Sequence, residues 1–147
     1  MKLNRRQYLS GLLALFTTAL LPSRLFAAAS GFNATNTKAV LDELFKGLPI
    51  EQSDAVTLRT PDIAENGAVV PVSVSTKIEG VESISLVVDE NPNPLSASFN
   101  LTPDTLADIS FRVKMGKSST VRALVKTSDK VYMAIREVKV TIGGCGG

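Results

Sequence analysis

The chain has a single cysteine, Cys145, and it stands in the run Ile142-Gly143-Gly144-Cys145-Gly146-Gly147 that closes the sequence. The thiolate is the reactive form of cysteine, and an exposed, unassisted thiol titrates near about 8.5. The tail places no charged residue beside the sulfur. Lys139 and Arg136 lie upstream, on what reads as a solvated strand face. Cys145 is therefore not built to activate itself, and its chemistry needs a partner. Glycine samples positive and negative φ about equally, so Gly143, Gly144, Gly146 and Gly147 describe a flexible arm. An extended chain covers roughly 3.3–3.6 Å per residue, which puts Cys145 up to about 10 Å past Ile142. The pattern is a handle, a hinge and a thiol small enough at its flanks to enter a narrow cleft.

Other chemistry is excluded by composition. There is no histidine, which removes Ser-His-Asp and Cys-His catalysis and histidine metal sites together. One cysteine permits no internal disulfide, no Cys-x-x-Cys redox or zinc motif and no Cys-x-x-Cys-His haem attachment. No metal site and no cofactor is expected. An unpaired cysteine in an exported chain means either pairing with another chain or a free reactive thiol. A C-terminal prenylation box requires three residues after the cysteine, and only Gly146 and Gly147 follow.

The N-terminus predicts export. Lys2, Arg5 and Arg6 precede an apolar run from Leu12 to Leu21, followed by Pro22 and by Ala27-Ala28-Ala29. That is the anatomy of a secretory signal, with cleavage expected after Ala29. The apolar run is too short to span a bilayer, which takes roughly 20 residues, so no stable membrane anchor is expected. Asn4-Arg5-Arg6-Gln7-Tyr8-Leu9 approximates the twin-arginine export pattern, with Arg5 and Arg6 as its pair, and the periplasm is the expected location. Four of the 16 Lys and Arg residues (Lys2, Arg5, Arg6 and Arg24) fall in this signal. The remainder carries 12 basic and 14 acidic residues, a formal net of −2. Such a balance gives no nucleic-acid footprint.

The elements that must hold the arm follow from periodicity. Asn36 or Thr37 caps a short helix whose Val40, Leu41, Leu44 and Phe45 share one face, ended by Gly47 and Pro49; it could pack on the body or on a partner. From Val56 the period becomes two. Strands are expected at Val56–Arg59, around Val70, Val72 and Val74, around Ile84, Leu86 and Val88, at Ser96–Leu101, along Ile109, Phe111, Val113 and Met115, around Val121, Ala123 and Val125, and from Val131 to Ile142. Asn66-Gly67 predicts a tight hairpin, with Pro61–Gly67 as a turn segment. Pro71 predicts an edge or bulged strand. Asn91-Pro92-Asn93-Pro94 reads as a stiff turn. In the last strand the apolar set changes register between Ile135 and Val138, which predicts a bulge near Arg136. About seven short strands with regular turn signals read as an all-β, antiparallel, immunoglobulin-like β-sandwich. The expected organisation is residues 1–29 signal, 30–55 an N-terminal segment with a short helix, 56–142 the sandwich and 143–147 the arm.

Gly143-Gly144-Cys145-Gly146-Gly147 after Val138-Lys139-Val140-Thr141-Ile142 resembles the end of the SoxY-type sulfur carriers of bacterial thiosulfate oxidation. Pro61–Gly67 with Val70-Pro71-Val72, Asn91-Pro92-Asn93-Pro94-Leu95, and Arg112–Met115 leading to Val121-Arg122-Ala123 are similar as well. The resemblance covers roughly Pro49 to Gly147, and the tail is its specific part. It implies that Cys145 is the covalent attachment point and that the carrier holds no cofactor. It also implies a heterodimer with a SoxZ-like β-sandwich subunit. A c-type cytochrome would join thiosulfate to the thiol, a manganese hydrolase would release sulfate, and in some systems a molybdenum-haem enzyme would oxidise the remaining sulfane sulfur. Two rival readings stay open. Gly146-Gly147 matches sulfur donors that carry a terminal thiocarboxylate, although these need ATP-dependent activation. Alternatively, Cys145 could hold a structural sandwich module to a partner by a disulfide.

Overall fold

The computed structural model describes residues 31–141. Two sheets face one another. The larger runs β1 (Ile50–Gln52), β9 (Val131–Val140), β8 (Ser119–Lys126), β5 (Ser83–Val88), β6 (Leu95–Asn100), with β3 (Ile63–Ala64) also on β9. The smaller is β2 (Val56–Arg59), β4 (Val70–Thr76), β7 (Asp108–Val113). Val70, Val72 and Val74 of β4, Ile84, Leu86 and Val88 of β5, and Val121, Ala123 and Val125 of β8 meet in one buried cluster. These are the alternating sets of the sequence, and their period of two is what turns them onto one face. The chain folds as the expected β-sandwich.

The helix α1 (Thr37–Phe45) closes the outer face of the larger sheet. Asn36 is its N-cap: its Oδ1 accepts from Ala39 N–H at 2.8 Å. Lys46, in the left-handed region at φ 46°, ends it, one residue before Gly47. Buried Val40 and Phe45 pack with Val87, Leu95, Leu124 and Val131, so the helix belongs to the body. Asp89 pins its first turn, accepting from Thr37 Oγ1 at 2.8 Å and from both Nε and Nη2 of Arg122. That bond with Asp89 is the main cause holding the Arg122 guanidinium above its ordinary pKa. Asn36→Ala leaves the Ala39 N–H without its acceptor and should cost about 1 kcal/mol, read as a lower urea midpoint with an unchanged slope.

Three local expectations are corrected. Asn66-Gly67 does not close a hairpin: β3 pairs with β9 while β4 pairs with β2 and β7, so this turn crosses between sheets. Gly67 is not among the positive-φ glycines; what it supplies is the absence of a side chain at a close backbone approach. Pro71 lies in the central strand of the smaller sheet. It is tolerated because β2 stops opposite Ser73. Thr76 N–H donates to Ala107 O, so even-numbered β4 residues point their backbone groups at β7, and the donor Pro71 lacks falls on the flank where β2 has ended.

The bulge near Arg136 is absent, since β8 and β9 pair without interruption from Ser119↔Val138 to Lys126↔Val131. The apolar set changes there because β9 is covered on both faces at its start. Val131 and Met133 face the helix cluster, while Tyr132, Ala134, Val138 and Val140 face the sandwich. The irregularity lies instead between β5 and β6, at Leu86/Val87. Two short strands had no sequence signal. β1 and β3 lie along the edge of β9 that β8 leaves open, at opposite ends and both parallel to it.

Candidate functional site

Cys145 and Gly143, Gly144, Gly146 and Gly147 lie outside the described residues, as do Arg5, Arg6 and the expected cleavage point at Ala29. What the structure defines is the mount from which the tail departs. β9 delivers the chain to Thr141, and its end is held on both flanks. On one flank β3 pairs Ile63 with Lys139 and Ala64 with Val140. Lys139 N–H donates to Asp62 O at 2.9 Å, and Thr141 N–H to Ala64 O at 3.0 Å. On the other flank β8 has run out after Ser119, and Val140 N–H donates to Ser118 Oγ at 2.9 Å. A strand end flanked this way has its backbone donors satisfied, which removes the usual reason for fraying.

The segments that do the holding are braced in turn. Met115 N–H donates to Gly67 O at 2.6 Å, and a Cβ on Gly67 would stand 2.3 Å from Met115 O and 2.9 Å from Val140 Cγ1. Met115 is buried, 2% exposed. Asn91 spans to the β7–β8 turn: its amide donates to Lys114 O at 2.8 Å, and its Oδ1 accepts from Gly116 N–H at 3.3 Å. Glu90 adds an ion pair with Lys117 at 2.7 Å and donates its N–H to Ser119 Oγ at 3.0 Å. Of three turn motifs far apart in the sequence, Pro61–Gly67 and Gly116–Ser118 thus bond to the last residues of one strand, and Asn91 of the Asn91–Pro94 turn braces the second of them. Sequence reasoning took each as a separate turn. Nothing local to Asn91, Gly67 or Ser118 announces a shared task, because the contacts bridge 23 residues or more between Asn91 and Lys114 and 22 between Ser118 and Val140.

The two basic residues upstream of the tail part company. They are an odd number of positions apart on one strand and so point to opposite faces. Lys139 is exposed beside Glu137, Thr120 and Glu90 at the mount. Arg136 lines a cleft with Gln52, Ser53, Val56 and Leu58 on the β2 side. Ile63, 57% exposed, and Val69, 51% exposed, stand on the two sides of the Glu65–Ala68 crossover and leave an apolar margin near the mount.

A family model described as sulfur oxidation protein SoxY matches residues 41–145, a span that starts inside α1 and ends on Cys145. The chain belongs to the SoxY family. The structure of the sulfur carrier protein SoxY from Chlorobium limicola f thiosulfatophilum is 41% identical, with a TM-score of 0.66, over 71% of this chain and 96% of that one. A superoxide reductase (neelaredoxin) from Ignicoccus hospitalis aligns with a TM-score of 0.53 at 19% identity, over 59% of this chain and 80% of its own, and shares the fold alone. No curated protein matches. The family assignment accounts for the described SoxY body: the match takes in every strand and all of the mount, and it reaches the cysteine that the mount precedes by four residues.

Proposed function

We propose that this SoxY-family chain is a periplasmic carrier in sulfur oxidation that binds thiosulfate-derived groups covalently on Cys145 and presents them to partner enzymes. One observation carries the reading: the family match ends on the chain's only cysteine. The mount supports it. Thr141 is fixed by β3 and followed by four residues to Cys145, so a fully extended tail would carry the sulfur about 14 Å beyond the body. Glycines on either side of the thiol would let the arm take several paths and pass a narrow entrance.

The chemistry balances without a cofactor on this chain. The Cys145 thiol and thiosulfate form an S–S bond, giving a cysteine S-thiosulfonate, one proton and two electrons. A c-type cytochrome partner takes the electrons. Water then attacks the terminal sulfonate sulfur. The S–S bond to that sulfonate breaks, sulfate leaves, two protons are released and a persulfide anion stays on Cys145. A metal hydrolase supplies that second step, and a further oxidising enzyme acts on the remaining sulfane sulfur. A SoxZ-like subunit is the proposed stable companion. The signal carrying Arg5 and Arg6, cut after Ala29, would deliver the chain already folded, which suits export together with a bound companion.

The test is intact-mass and peptide-mass measurement after incubation with thiosulfate and the oxidising cytochrome. The expected result is a gain of one S₂O₃ unit on the peptide containing Cys145, reversed by thiol reductant and absent in Cys145→Ser. An adduct that persists in Cys145→Ser, or that maps to the Gly147 carboxyl, would overturn the proposal.

A further inference from the structure

The outward face of the smaller sheet gathers positive charge without counter-charge. Residues of β2, β4 and β7 that point away from the core recur with a period of two, and the register sets them in rows across the sheet. One row is Arg59, Ser73 and Ser110, and the next sets Pro71 beside Arg112. Arg59 and Arg112 therefore flank β4 on opposite sides, two strand spacings and two residues apart, or about 12 Å between their Cα atoms. The residues between them on β4, Pro71 and Ser73, are short. Both arginines line one open depression of about 520 Å³, together with Thr60, Ser73 and Ser110. Among the described residues no carboxylate lines it, and Asp108 lines the neighbouring depression instead.

Both arginines are exposed, and among the described residues neither takes part in an ion pair. Thr60 Oγ1 is the one buried side-chain oxygen or nitrogen among those residues that has no hydrogen-bond partner. A buried polar atom left so costs about 1–3 kcal/mol. Two guanidinium groups and three hydroxyl groups, with no acid among them, suit a small oxyanion that accepts several hydrogen bonds at once.

The depression adjoins the mount along two segments. Thr60 stands three residues before Ile63, which pairs with Lys139 of β9. Arg112 stands three residues before Met115, which is bonded to Gly67 beside Val140. Three residues span at most about 11 Å, and the four from Thr141 to Cys145 about 14 Å. A sulfur-bound SO₃⁻ group extends the arm further, so its charged end falls within range of both arginines.

We infer, on the basis of the carrier reading, that this depression is a docking site on the carrier's own body for the terminal SO₃⁻ group of its cargo, held by Arg59 and Arg112 when the loaded arm folds back. The recognised chemistry is a sulfur oxyanion, borne on Cys145 or free in solution. Two exposed arginines hold a free oxyanion weakly, whereas a short flexible tether supplies an effective concentration in the millimolar range. An unloaded arm carries no oxyanion and has nothing to place there, so docking follows loading. It keeps the labile S–S bond against the body, away from stray thiols, between visits to partner enzymes.

The experiment follows the arginine Nε–H signals in ¹H–¹⁵N spectra of the full chain. The thiol is loaded chemically: its thiolate attacks the central S–S bond of tetrathionate, forming Cys–S–S–SO₃⁻ and releasing thiosulfate. Once free anions are removed, the Arg59 and Arg112 signals should be shifted from those of the unloaded chain, by an amount independent of protein concentration. A titration of Cys145→Ser with free thiosulfate, sodium chloride holding the ionic strength constant, separates the two sources: the same signals should move only at millimolar concentrations and above. Dithiothreitol should remove the group about threefold more slowly from the parent than from the Arg59→Gln/Arg112→Gln double variant, as expected when the effective concentration is about twice the dissociation constant. Both side chains are exposed and unpaired, so the double variant should melt with the parent. Arginine signals that do not move on loading overturn the inference, whatever free thiosulfate does. So does a shift that grows with protein concentration, or equal removal rates from parent and double variant. Tetrathionate loading needs no cytochrome, and the cytochrome-dependent adduct needs neither arginine, so this inference and the carrier reading fail separately.

Discussion

With Gly143 and Gly144 both replaced by proline, loading of Cys145 by the oxidising cytochrome should fall about 100-fold, while alkylation of the same thiol by iodoacetamide proceeds at the parent rate. Proline fixes φ near −65°, so the two links between the mount and the cysteine would lose the freedom that glycine gives them. A small reagent diffuses to the sulfur from any side and does not depend on that freedom. An enzyme cleft does depend on it, because Sγ must arrive at a set position, and a misplacement of about 1 Å can cost 10²-fold. The body should be unaffected, since the end of β9 is held from within it, with Thr141 N–H bonded to Ala64 O. An unchanged cytochrome-dependent rate would remove the need for an arm. A parallel fall in alkylation would show that the substitution had merely hidden the thiol.

Gly67→Ala should destabilise the folded body by about 1–3 kcal/mol, the usual cost of forcing a methyl group into filled space. The new Cβ would stand 2.3 Å from Met115 O, a backbone atom that cannot rotate away, and 2.9 Å from Val140 Cγ1. Relief requires the Gly67–Met115 hydrogen bond to lengthen or β9 to shift at Val140. Both responses act on the mount, so hydrogen exchange at the amides of Lys139, Val140 and Thr141 should quicken more than exchange in β5 or the centre of β8. A matched Gly116→Ala control, where nothing lies within 4 Å of the added carbon, should change little. Equal melting temperatures for Gly67→Ala and the parent would show that the close approach is easily relaxed.

The alternating valines of β4, the Ile84-Leu86-Val88 set and the Val121-Ala123-Val125 set identified the strands from sequence, because one buried face imposes a period of two on each. The capped helix was legible for a similar reason, its period of 3.6 being bounded by Asn36 and Gly47. β1 and β3 were not. They are too short to show a period, and what makes them strands is the open edge of β9, more than 70 residues away along the chain. Asn66-Gly67 misled because the dipeptide's local preference matches a hairpin equally well, while Gly67 answers to Met115 and Val140, contacts that have no local trace.

Sequence alone determined the chemistry available to this SoxY-family protein. One thiol, no histidine and a glycine-flanked terminus are properties of composition and order, and they hold whatever the fold. Tertiary structure decided what holds the end of β9: the Pro61–Gly67 and Gly116–Ser118 turns bond to its last residues, and Asn91 braces the second of them. Side-chain identity is local, whereas the partner of a backbone N–H at a strand end is set by whichever segment the packed core brings beside it.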